Sequence, residues 1–70
     1  MDKTEGAKVQ EYLRTKFDNQ RIKVIVGAKP NAPVEVFLGD EFIGVLDRED
    51  DEGEICYHFQ MSILDIDLQG

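Results

Sequence analysis

The sequence predicts an α+β fold: an N-terminal helix packed on a four-stranded antiparallel sheet, with a C-terminal segment able to add a fifth strand. Three observations predict it. Residues 9–17 carry apolar side chains at helical spacing, residues 34–46 form two alternating runs around Gly39–Asp40, and residues 55–63 alternate throughout. The hairpin at Gly39–Asp40 is the element around which the others gather.

Asp2 stands where it can cap a helix, with Glu5 three residues later reaching back as a capping box. Val9, Tyr12, Leu13 and Phe17 then form one apolar stripe, and Lys8, Glu11, Arg14 and Lys16 take the rest of the circumference. Gly6 costs about 1 kcal/mol relative to Ala in the first turn, so fraying is expected there. Asp18–Asn19–Gln20 ends the helix, because Asn tolerates a left-handed cap. Arg21–Val26 follows as the first strand, with Ile22, Val24 and Val26 on one face and Arg21, Lys23 and Ile25 on the other. Its charged face marks an edge strand or a solvated side. Gly27–Ala32, containing Pro30 and Asn31, reads as a connection, and Pro33 delays sheet pairing to the residue after it.

Across a turn at Gly39–Asp40, Val34, Val36, Leu38, Ile43 and Val45 share one face. Phe37, Phe42 and Leu46 share the other with Glu35 and Gly44. In Asp47–Glu54 six of eight residues are acidic, so an exposed, mobile loop is expected. Ile55–Ile63 reads as a long strand, with Ile55, Tyr57, Phe59, Met61 and Ile63 pointing one way and Cys56, His58, Gln60 and Ser62 the other. Leu64, Ile66 and Leu68 continue the alternation in the opposite phase, which requires a bulge or break near Ile63–Leu64. The tail then covers the second sheet face or pairs with another chain. A short helix fits its strict alternation less well.

Residues 1–70 are expected to form one domain, small enough to bury only about 60% of its unfolded surface. The single cysteine, Cys56, excludes an intrachain disulfide, and no zinc framework of paired cysteines and histidines is present. Self-association is the stabilising device that remains. The net charge of −7 is unevenly spread: residues 1–33 hold seven cations and four acids, residues 34–70 only Arg48 against eleven acids. That balance argues against nucleic acid. No run reaches the length of a signal-peptide core or a membrane span, so a cytoplasmic location with no membrane partner is expected.

Chemistry is sparse. Cys56 and His58 project from the same strand face and could share a metal, or the imidazole could activate the thiol. A zinc site needs two further ligands, and a cysteine nucleophile needs an oxyanion site and an orienting group. None is legible, so no catalytic, cofactor-binding or metal residue is assigned and no cofactor or enzyme activity is expected. Calcium fails on spacing: with Gly53 as the sharp-turn glycine, Arg48 takes the first ligand position and Phe59 the closing one. Gly27–Lys29 lacks the remainder of a phosphate loop. What stands out is surplus apolar surface. Phe37, Phe42 and Leu46, with Asp50, Asp51 and Glu52 of the acidic loop, are the expected partner-binding residues of a non-enzymatic, homodimeric interaction module facing a basic protein. The alternative is a small metal-binding or thiol-dependent protein centred on Cys56 and His58.

The words GDEFIGVL at 39–46, YHFQMSILDIDL at 57–68 and KVQEYLRTKF at 8–17 resemble a family of short alphaproteobacterial proteins of unknown function. The resemblance spans nearly the whole chain and implies a free-standing bacterial protein. It brings no activity, substrate or catalytic residue, and Cys56 and His58 lie outside the family's usual pattern.

Overall fold

The computed structural model describes residues 1–29 and 31–69. Pro30, expected in the connection after the first strand, and the terminal Gly70 lie outside the described residues. Helix α1 (Lys3–Phe17) is followed by β1 (Ile22–Ile25), β2 (Val34–Leu38), β3 (Glu41–Asp51) and β4 (Glu54–Gln60), then a 3-10 helix at Asp65–Gln69. The strands form one antiparallel sheet in sequence order, so β1 and β4 are its edges.

The capping box forms as expected. Asp2 accepts the Glu5 N–H at 2.7 Å and Glu5 accepts the Asp2 N–H at 3.3 Å. At the other end Asp18, rather than Asn19, takes the left-handed conformation with φ 50°. Gly6 does more than weaken a turn. It is buried against β1, and a Cβ there would collide with Val26 Cγ2.

The helix lies over β1 because its polar side chains bond to that strand's outer edge. Gln10 Oε1 accepts the Val24 N–H at 2.9 Å, and Arg14 Nε donates to the Ile22 carbonyl at 2.8 Å. Exposed strand edges invite pairing with another chain, and these two bonds occupy this one. Leu13 of the helix meets Ile22, Val34, Val36 and Leu46 of the sheet in the core, with Met1, Val9, Val24, Val26, Leu38, Ile43 and Phe59 packed around them.

The central hairpin departs from the simple pairing. Gly39 turns it at φ 63°, but Val36 pairs with Gly44 while Phe37 pairs with Phe42, leaving Ile43 as the extra residue of a β-bulge. Beyond a one-residue slip every side chain changes face. Leu46, expected beside Phe37 and Phe42, is therefore a core residue at 4% exposed, paired with Val34. Val45 moves to the outer face opposite Glu35.

Two further expectations are corrected. The acidic stretch Asp47–Glu54 is not a loop: β3 runs to Asp51, and only Glu52 and Gly53 turn the chain, at φ 51° and 88°. Both positive values suit a two-residue hairpin. Alternation sends successive acids to opposite faces, so the ladder tolerates them. The long strand stops at Gln60 instead of Ile63, and the tail forms no fifth strand. It closes on itself, the Leu64 carbonyl accepting the Asp67 N–H at 2.9 Å and the Asp67 carboxylate accepting the Leu64 N–H at 3.1 Å.

Helix propensity says that Gly6→Ala stabilises by about 1 kcal/mol, whereas overfilling a tight contact costs roughly 1–3 kcal/mol. The collision with Val26 decides the sign. Gly6→Ala is expected to lower the urea midpoint without changing its slope.

Candidate functional site

Because α1 is drawn toward β1, the other half of the same sheet face is poorly covered. Val9, Tyr12, Leu13 and Phe17 from the helix and Leu46, Tyr57 and Phe59 from β3 and β4 line an apolar groove of about 570 Å³, rimmed by Lys8 and Lys16. A smaller hollow of about 230 Å³ continues past Leu13, Phe17 and Phe59 toward Met61 and Ile43. Tyr12 and Phe17, half of the helix's apolar stripe, stay more than half exposed, as does Met61 at the groove's far end. Such a surface is costly to leave in water, since burial gains roughly 25 cal/mol per Å² of apolar area.

A polar clasp closes the groove's near end. Glu5 Oε2 accepts from Arg48 Nε at 2.7 Å and from the Tyr57 hydroxyl at 2.6 Å, joining the first turn of α1 to both β3 and β4. Tyr57, then the Asp2 backbone N–H, then Arg48 hold the Glu5 carboxyl down from 4.5 to about 2. The same contact pushes the Tyr57 hydroxyl and the Arg48 guanidinium up. Sequence reasoning missed this cluster. The available signal was Arg48, the one cation among eleven acids in residues 34–70, at a position whose side chain shares a face with Tyr57.

Phe37 and Phe42 do meet on the outer face, edge to face, with centroids 5.8 Å apart and planes at 75°. Phe42 is half exposed and Phe37 half-buried. Leu46 is not with them. Asp50, Asp51 and Glu52 are exposed at the β3–β4 hairpin tip. Asp50 Oδ1 accepts the Gly53 N–H at 3.3 Å, which helps close that turn. Cys56 and His58 both lie exposed on the outer face of β4, and His58 Nε2 is 3.1 Å from Glu49 Oε2 across the strand pair. Among the described residues, no three of the His, Cys, Asp and Glu side chains come together as a metal-binding group. Among the described residues, no helix is long and apolar enough to cross a membrane.

The model of the family described as "Protein of unknown function (DUF3126)" matches residues 5–67. The chain belongs to that family. The match takes in most of α1, all four strands and the tail as far as Asp67. No curated protein and no solved structure matches the chain. Membership in the family thus assigns neither substrate nor chemistry, and the groove has to be read from its own geometry.

The clasp makes a pH prediction with a definite sign. A carboxyl whose pKa is lowered on folding contributes stability above its unfolded value, and that contribution is lost as pH falls through the folded one. The gap in melting temperature between wild type and Glu5→Gln should be widest above pH 4.5 and close as pH falls toward 2. A gap that stays constant across that range, followed by thermal melts at stepped pH, would remove the clasp as its source.

Proposed function

We propose that this protein is a non-enzymatic interaction module that self-associates into a homodimer and offers its acidic hairpin tip to a basic protein partner. One observation carries the reading. A folded monomer of 8.0 kDa exposes about 4,450 Å² by the usual size scaling, whereas this chain exposes 5621 Å², a surplus of about 1,200 Å². Standard protein interfaces bury about 800 Å² per partner. The shape agrees: the radius of gyration is 13.1 Å, against about 11 Å for a compact chain of this length.

The surplus is apolar in character. Tyr12, Phe17, Phe42, Ile55, Met61, Ile63, Leu64, Ile66 and Leu68 are each close to or more than half exposed. Tyr12, Phe17 and Met61 among them border the groove and the hollow that continues it, and contiguous apolar surface typically marks a contact site. The acidic tip supplies the second half of the reading. Asp50, Asp51 and Glu52 project at one end of the hairpin, where a concentrated negative potential raises the encounter rate with a basic surface.

Light scattering at micromolar concentration tests self-association directly, and the expected mass is twice the chain's 8.0 kDa. A monomer mass would overturn that half. For the tip, Asp50→Asn with Asp51→Asn and Glu52→Gln should leave the dimer mass unchanged. The triple variant should lose basic proteins that wild-type bait retains from a cell extract, and the retained binding should weaken with added salt. Recovery of the same proteins by the variant would take the tip out of the contact.

A further inference from the structure

The two sheet edges are treated differently. β1 has Gln10 and Arg14 bonded to its outward N–H and carbonyl groups. β4 pairs with β3 alone, and its sequence EICYHFQ contains no proline, lysine or bulge to discourage another strand. Beside that open edge, on the helix face, lies the apolar groove lined by Leu46, Tyr57 and Phe59.

The C-terminal segment has the alternation of a strand but forms a 3-10 helix, with Leu64 and Asp67 lining a hollow of about 400 Å³ beside Phe42, Val45 and Gln60. Leu64, Ile66 and Leu68 alternate with Asp65 and Asp67, and the three apolar side chains are 60%, 71% and 73% exposed. Among the described residues, no other helix or strand comes within 8 Å, Cα to Cα, of the 3-10 helix. Strict alternation suits one wet and one buried face of a strand. Five extended residues span about 17 Å, which fits within the roughly 24 Å of a seven-residue strand such as β4.

The segment is poorly suited to reach its own β4. Doing so needs a tight reversal at Met61-Ser62-Ile63-Leu64, where Ser62 is the one common turn residue and no Gly, Pro, Asn or Asp supports it. The chain's two true hairpins both turn on glycine, at Gly39 and Gly53. We infer that Leu64–Leu68 of a second copy adds as a fifth strand to the free edge of β4, each copy giving its tail to the other. This deepens the homodimer reading proposed above and rests on it.

The register of faces is consistent. With Leu64, Ile66 and Leu68 turned to the helix face, they enter the groove against Tyr12, Phe59 and Leu46. Asp65 and Asp67 then fall on the outer face, where β4 presents Glu54 at its hairpin end and Cys56, His58 and Gln60 along the rest. Reciprocal donation is closed and two-fold, so it ends at a dimer. Main-chain bonds to the edge give affinity, and the alternate pockets give register. The surplus of about 1,200 Å² per chain exceeds the roughly 800 Å² a standard interface takes from each partner.

The native Cys56 supplies the test in the full-length chain. Under mild oxidation with diamide, Asp65→Cys or Asp67→Cys should form a disulfide-linked dimer with Cys56 of the other copy on a non-reducing gel, and Ile66→Cys, facing the groove, should not. Ile66→Pro, which removes a strand N–H at an exposed position, should halve the light-scattering mass while leaving the circular dichroism spectrum of the body intact. Equal cross-linking at all three positions, or none above the Cys56 background, overturns the tail exchange. A dimer unaffected by Ile66→Pro overturns it too but leaves self-association standing, through a surface such as Phe37–Phe42. A wild-type monomer removes both.

Discussion

The helix is held to the sheet by bonds of unequal kind, and their placement governs the rest of the molecule. Along β1, Gln10 and Arg14 bond to strand backbone, and Gly6 lets the helix approach Val26 without a side chain between them. A fifteen-residue helix is about 22 Å long, and a four-stranded sheet is about 14 Å across at 4.7–4.9 Å per strand. Seating the helix over one edge leaves the far strands uncovered. The Glu5–Arg48–Tyr57 clasp ties only its first turn to that far side. The groove is the space that remains.

Sequence alone carried the local features well. The capping box, the turn at Gly39, the start of β2 after Pro33 and the inward faces of Tyr57 and Phe59 all depend on neighbours a few residues apart. What it did not carry depends on distant partners. The bulge at Ile43 exchanges Leu46 and Val45 between faces, and Gly44 beside it lies against Phe59 and the Gln60 carbonyl, where a Cβ would strike both. A glycine inside an otherwise apolar strand was the available sign. The acidic stretch was misread for a related reason: composition reports hydration, whereas the β3–β4 ladder reports pairing.

Of the residues expected at a contact surface, Phe37 and Phe42 meet as a pair, Asp50, Asp51 and Glu52 share the hairpin tip, and Leu46 belongs to the core. Exposed apolar side chains lie on both faces of the sheet. On the helix side, beside β4, Tyr12 and Phe17 of the helix's apolar stripe stay more than half exposed. On the outer face Phe37 and Phe42 meet edge to face.

Amide hydrogen exchange as a function of protein concentration tests the central claim most directly: that the β4 edge and its groove are open in one chain and filled by a second. Protection of the outward-facing β4 amides and of residues 64–68 should rise together as concentration increases, while β1 amides stay constant. Exchange at β4 as fast in concentrated as in dilute solution would contradict it.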